Sequence, residues 1–214
     1  MASRDVRLLL PTLQPKVEVV IDLYGKVDPR YELKVISTYR PPEDQNRSFN
    51  HPKGGVPTTT KDGYRNPSMH NFMRAAAFDV GVFFKETGGY LSKREHGVLY
   101  RPIEAICVQE KLLWGGWTHP VIDAGHVSLR PYDFVKLYQE MLEFVEYDVG
   151  RHGPNGIHGR DTKSSLVRFQ LDHKLKVSGW MDVPTFNLLH DTAFPGWREL
   201  TGVSMKMENA PDRL

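Results

Sequence analysis

With 214 residues, 40% of them hydrophobic and 11% aromatic, the chain has enough apolar material for a packed core and room for one large domain or a medium one with a small partner. A formal charge of +2, drawn from 28 basic and 26 acidic residues without a dense Lys/Arg block, leaves nucleic acid undemanded as a partner. A single cysteine excludes a disulfide framework, and no run of about 18 apolar residues offers a membrane span.

The first eleven residues hold one short apolar run, Leu8-Leu9-Leu10, broken by Pro11. They lack the long apolar core and small-residue cleavage site of a signal peptide, so synthesis in the cytoplasm without an export signal is expected. Residues 12–25 place Leu13, Val17, Val20, Ile21 and Tyr24 three and four apart, which predicts an amphipathic helix. Residues 33–39 alternate and are β-branched, predicting a strand that delivers Arg40 at its end. From 41 to 67 the chain is rich in Pro, Gly, Thr, Asn and charge without periodicity, and a long surface loop is expected.

Residues 78–84 read as a second strand with Asp79, Gly81 and Phe83 on one face and Phe78, Val80 and Val82 on the other. The stretch 101–113 predicts a helix with Ile103, Ile106, Cys107, Glu110 and Leu113 on one stripe, Cys107 being a buried structural thiol. Val121-Ile122 and residues 127–129 read as short strands. The sum is an α+β arrangement, a small antiparallel sheet with flanking helices. Beyond Pro131, Phe134, Leu137, Tyr138, Met141, Leu142 and Val145 form a helical stripe. A turn-rich break at 150–159 follows, then a helix carrying Leu166, Phe169 and Gln170, then another after Asp182, an N-cap with Pro184 in its first turn. Residues 201–214 show no pattern and read as a loosely attached tail.

Two separated signatures carry the chemistry. Ser68-Met69-His70 is followed by Asp79, and Asp123-Ala124-Gly125-His126 comes later in the chain. They supply two imidazoles and a carboxylate for one Zn2+, with a fourth position left for water. Asp123 is the second carboxylate, a candidate general base toward that water. Arg40 offers a permanently charged fork for a substrate carboxylate or a developing oxyanion. Gln45, Ser68 and Tyr39 are candidates for substrate contact or support. Trp114 and Trp117 read as packing residues more readily than as sugar platforms, and His119 as a solvated loop residue.

Ser37-Thr38-Tyr39-Arg40 before the first signature and Trp114-Gly115-Gly116 before the second complete an order that resembles the zinc peptidoglycan peptidases. That family includes D-alanyl-D-alanine carboxypeptidases, vancomycin-resistance dipeptidases and the L-alanyl-D-glutamate endopeptidases of phage endolysins. The resemblance covers about residues 8–130. It implies His70, Asp79 and His126 as metal ligands, Asp123 as the catalytic base and Arg40 in the catalytic and substrate-binding role. In the family the Asp follows the His by seven residues with Gly at the third; here the third is Met73, the seventh Ala77, and Asp79 comes nine along. An even insertion preserves strand parity if a bulge or turn absorbs it, whereas Ala75-Ala76-Ala77 wound into a helical turn would not deliver Asp79 in the same way.

The Gly156-Ile157-His158-Gly159, Arg168-Phe169-Gln170 and Leu175-Lys176-Val177-Ser178-Gly179 elements resemble, in that order, the three-helix peptidoglycan-binding domain of many wall hydrolases. The expected organisation is a zinc peptidase at 1–130, a peptidoglycan-binding domain at 131–195 and a tail at 196–214. The resemblances imply a phage-type endolysin, a monomer that cuts the L-alanyl-D-glutamate bond of the stem peptide once the membrane is permeabilised. Its partner is bacterial peptidoglycan, with neither nucleic acid nor membrane insertion. The alternatives are a D-alanyl-D-alanine carboxypeptidase and a wall-binding protein whose peptidase site has lost its metal.

Overall fold

The computed structural model describes residues 2–51, 59–117 and 123–197. Five antiparallel strands form one small sheet: β1 (Tyr31–Ser37), β2 (Ala77–Phe84), β3 (Tyr90–Leu91), β4 (Leu112–Trp114) and β5 (His126–Leu129). The order is β1-β2-β5-β4, with β3 pairing β2 at Val82 and Phe83. Central β2 has its apolar alternation as expected, and Phe78, Val80 and Val82 are fully buried. Helices α1 (Gln14–Val27) and α3 (Pro102–Gln109) pack together, and α1 also lies against β1. The α1 stripe buries Val17, Val20 and Tyr24, with Ile21 partly buried beside them. The fold is the expected α+β arrangement, and among the described residues no helix is long and apolar enough to cross a membrane.

Three local expectations are corrected. The stretch 41–67 is not all loop, because α2 (Pro42–Asn50) occupies its start. Pro42 opens this helix and Glu43 and Asp44 complement its dipole, but it buries only Gln45, so no apolar period marks it. The helix expected over 101–113 stops at Gln109; Lys111 turns with φ of 56° and the chain enters β4, leaving Leu113 exposed and Leu112 and Trp114 buried. The first strand runs two residues earlier than expected, so Thr38 and Tyr39 leave the sheet before Arg40. Val121-Ile122, His119, the side chain of Trp117 and the 201–214 tail lie outside the described residues. Cys107 is buried, and burial pushes its thiol up to about 12, in keeping with a structural role.

Helices α4 (Pro131–Phe144), α5 (Arg160–Asp172) and α6 (Val183–Ala193) form the C-terminal unit, with α4 against both others. Asp182 caps α6 by accepting from the Thr185 N–H at 2.9 Å. This unit shares its core with the sheet side of the molecule. Phe72, two residues after His70, packs against Phe134 and Phe186 with ring centroids 5.0 Å from each. Phe134 and Phe186 stack on one another at 5.4 Å, and the Met73 N–H donates to Asn187 Oδ1 at 2.8 Å. Helix α4 begins at Pro131, and its unit meets the sheet side across this buried aromatic contact.

Phe186 is fully buried in that contact. Phe186→Ala is expected to cost about 3–5 kcal/mol of stability, read as a shift in urea midpoint. Leu171→Ala, at a side chain 58% exposed, is expected to change it by less than about 0.5 kcal/mol.

Candidate metal centre

Sheet register assembles the centre. Asp79 of β2 lies directly opposite His126 of β5, so the two side chains rise from the same face as neighbours. On the other edge, β1 carries an extra residue, because Val35 faces Val80 while Ser37 faces Asp79. Past this bulge the chain turns so that the Thr38 carbonyl meets His70 Nδ1. His70 is 2% exposed and arrives from the loop between α2 and β2.

That loop is closed tightly. Ser68 N–H donates to Asn71 Oδ1 at 2.7 Å, Asn71 Nδ2 donates to the Arg40 carbonyl at 2.9 Å, and Arg40 N–H donates to the His70 carbonyl at 2.9 Å. Ala75 bridges Leu9, its N–H donating to Leu8 and its carbonyl accepting from Leu10. Ala75 and Ala77 are therefore in extended pairing with a bend at Ala76 between them, rather than wound into a helical turn. Strand parity then brings Asp79 to the His126 side.

Three ligand atoms converge. His70 Nε2 lies 3.1 Å from Asp79 Oδ1 and 3.1 Å from His126 Nδ1, and His126 Nδ1 lies 3.0 Å from the same Oδ1. With Nδ1–H of His70 donating to Thr38, its Nε2 presents a lone pair, as a metal-binding imidazole held by a backbone carbonyl does. A tetrahedral ion with bonds of about 2.0–2.1 Å sets adjacent ligand atoms about 3.3 Å apart, close to this triangle. A carboxylate and two imidazole nitrogens facing one another need a shared positive charge, from protons or a cation. His70, Asp79 and His126 accordingly form a group that could hold a metal ion.

The electrostatics follow the same geometry. When protons rather than a cation supply the positive charge, burial works against the Asp79 carboxylate, but the charge of a protonated His70 and the hydrogen bonds from both protonated rings outweigh it and hold Asp79 well below the usual range. Burial likewise pulls His126 down, while the hydrogen bond to Asp79 and that carboxylate's charge lift it more, so the net direction is upward. The Asp123 charge adds to this lift.

Arg40 sits at the outer edge of the triangle, Nη2 3.6 Å from Asp79 Oδ2. Its Nη1 donates to Gln45 Oε1 at 2.9 Å, and Gln45, 1% exposed, uses its own amide on Thr59 Oγ1 and the Lys61 carbonyl. Gln45 therefore faces Arg40 rather than an open cleft. Ser68 Oγ accepts from the His70 N–H at 3.3 Å, and the buried Tyr39 belongs to the core.

Asp123 lies in the turn before β5. Its N–H donates to Gly115, its carbonyl accepts from His126, and its carboxylate pairs with Lys93. The Trp114-Gly115-Gly116 run has a steric reason. The Trp114 indole is 8% exposed and donates to the Ala124 carbonyl at 2.7 Å. A Cβ at Gly116 would lie 2.2 Å from the Trp114 ring, and one at Gly115 would lie 2.7 Å from the Asp123 carbonyl and 2.8 Å from His126 Cβ. Trp114 is a packing residue that braces the Asp123–His126 turn. Sequence reasoning missed Thr38, Asn71 and Lys93. Thr38 acts through its backbone, and Lys93 meets Asp123 only through the fold, so neither carries a local signal. Asn71, beside a proposed ligand in the pattern Ser-x-His-Asn, could have been found as a turn-forming side chain.

With this geometry in hand, known proteins can be set beside the chain. Residues 131–189 match the family model described as a putative peptidoglycan binding domain. No curated protein matches the chain. Among solved structures, the chain is similar to the L-Ala D-Glu endopeptidase ChiX of Serratia marcescens, with a TM-score of 0.42 and 16% identity over 63% of this chain and 92% of that one.

Asn71 is fully buried and ties Ser68 to Arg40 across the loop. Asn71→Ala is expected to lower stability by about 1–3 kcal/mol by orphaning a buried N–H and carbonyl, measured by urea unfolding.

Proposed function

We propose that the chain is a zinc-dependent peptidoglycan peptidase of the phage endolysin kind, a monomer that cuts the L-alanyl-D-glutamate bond of the stem peptide and leads to host lysis. Residues 1–130 would carry the chemistry and 131–195 would hold the enzyme on the wall. The observation that carries the reading is the triangle of His70 Nε2, Asp79 Oδ1 and His126 Nδ1 beside an arginine fork, in the same chain as helices that match a peptidoglycan-binding family.

His70, His126 and Asp79 would hold the ion. When bound, zinc supplies a Lewis acid and brings the pKa of a coordinated water down to about 7. Asp123 takes the proton from the attacking water and returns it to the leaving amine, with Lys93 orienting its carboxylate. Arg40, braced by Gln45, orients a substrate carboxylate and offsets negative charge in the transition state. The C-terminal helices raise the local concentration of substrate, which increases rate without touching the reacting atoms. Cleavage of the terminal D-alanyl-D-alanine bond is the second reading, because Arg40 can bind a chain-terminal carboxylate.

His126→Ala is expected to lose stoichiometric zinc and lysis together, whereas Asp123→Ala retains about one zinc per chain and loses about 10²–10⁴-fold in turnover of purified sacculi. Metal analysis and turbidity of sacculi check both, and a wild type that lyses sacculi without bound metal would sink the assignment. Mass spectrometry of the digest separates the bonds: stem peptides newly beginning at D-glutamate support the endopeptidase, and free D-alanine the carboxypeptidase.

A further inference from the structure

The C-terminal helices contain the same device twice. Gln139 of α4 and Gln170 of α5 are buried, and each clamps a tight turn. Gln139 Oε1 accepts from the Gly156 N–H at 2.8 Å, and its amide donates to the Ile157 carbonyl at 3.0 Å and Thr162 Oγ1 at 2.7 Å. Gln170 Oε1 accepts from the Gly179 N–H at 2.9 Å, and its amide donates to the Trp180 carbonyl at 2.9 Å and Thr185 Oγ1 at 3.1 Å. Both glycines need positive φ, 73° at Gly156 and 70° at Gly179. Seven residues before each glutamine, Tyr132 and Lys163 pack over the glycine of the corresponding turn, where a Cβ would strike them at 2.5 and 2.7 Å.

Each clamp turns an apolar side chain outward instead of burying it. Ile157 is 63% exposed and Trp180 58% exposed, and Tyr132 beside the first turn is 53% exposed. The two turns adjoin. His158 Nε2–H donates to the Gly179 carbonyl at 3.1 Å, Tyr138 Oη donates to His158 Nδ1 at 2.7 Å, and the His158 ring stacks on Trp180 at 4.4 Å, 10° from parallel. The indole is thus held against a fixed backing ring, with its ordering cost already met before any ligand arrives. Lys163 Nζ stands 5.8 Å from the Trp180 ring centroid.

We infer that this face, Trp180 on His158 with Ile157, Tyr132 and Lys163 around it, is a glycan subsite that takes the acetylamino-sugar strand of peptidoglycan. The inference rests on the proposal that residues 131–195 bind the wall. A pyranose presents a face of C–H bonds that packs on the negative face of an indole, and a rigid exposed tryptophan is suited to it. Two equivalent turns side by side suit a polymer of repeating rings. The Lys163 ammonium complements the carboxylates that flank the strand on its stem peptides. Among the described residues of the C-terminal unit no strand edge is present for an extended stem peptide to add to, and the clamped turns offer a flat ring instead.

The test measures binding of the full-length chain, with chelator present to suppress turnover, to intact sacculi and to glycan strands stripped of stem peptides by an amidase. The expected result is binding to both, a tenfold or greater loss on stripped glycan for Trp180→Ala, a smaller loss for Ile157→Asp, partial retention for Trp180→Phe, and no change for Leu171→Ala, each variant having wild-type circular dichroism. Undiminished glycan binding by Trp180→Ala and Ile157→Asp would overturn the subsite while leaving wall binding intact. Wild-type binding to sacculi but not to stripped strands would overturn the glycan as ligand in favour of the peptide. Binding to neither would overturn the wall-binding reading on which the inference rests.

Discussion

Asp79 Oδ1 is shared by two imidazoles, and much of the molecule is arranged around that contact. A buried carboxylate is tolerable only with positive charge or hydrogen-bond donors around it. Here both histidines approach one oxygen and Arg40 lies beside the other. The four groups come from separate parts of the chain, and each is held by backbone or side-chain contacts beyond the shared oxygen. Asp79 and His126 are set by strand register, His70 by the Thr38 carbonyl, and Arg40 by Gln45 and Asn71.

The supports explain several residues that would otherwise look incidental. The bulge in β1 re-aims the chain at Thr38, so a local irregularity in the ladder becomes the anchor of an imidazole tautomer. Trp114 packs beneath the Asp123–His126 turn; its own ring fills the space a side chain at Gly116 would take, and the Asp123 carbonyl and His126 Cβ fill that of Gly115. Phe72 links the same loop that carries His70 to the aromatic contact with α4 and α6. The C-terminal helices therefore lean on the segment that delivers the first histidine. At their outer turns, the paired glutamine clamps hold Ile157 and Trp180 in water, an arrangement that costs apolar exposure and is compatible with recognition of an external polymer.

Where the chain was legible, the reason is strong periodicity or capping. The stripes of α1 and α4, the alternation of β2 and the Asp182 cap are local signals that tertiary contacts reinforce. α2 was not legible, because it is polar and buries only Gln45, and the end of α3 was misread because Leu113 continues the helical period while belonging to β4. In the candidate centre, His70, Asp79, His126, Arg40 and Asp123 stood out by residue type and order. Thr38 and Lys93 did not, since one contributes a backbone carbonyl and the other reaches Asp123 from thirty residues away.

By itself the sequence determined the α+β class, the helical C-terminal unit and the set of side chains able to meet at a metal, because these depend on periodicity and on chemistry carried by individual residues. Only the tertiary structure decided that the nine-residue spacing from His70 to Asp79 still closes the triangle, through a bridge at Ala75 and a bend at Ala76 rather than a helical turn. It alone also decided that Gln45 faces Arg40 and that Trp180 faces solvent on a histidine backing. The physical reason is common to all three. Spacing along a chain constrains which face a side chain takes within one element, but the distance between atoms on different elements is set by register, bulges and packing that no local stretch encodes.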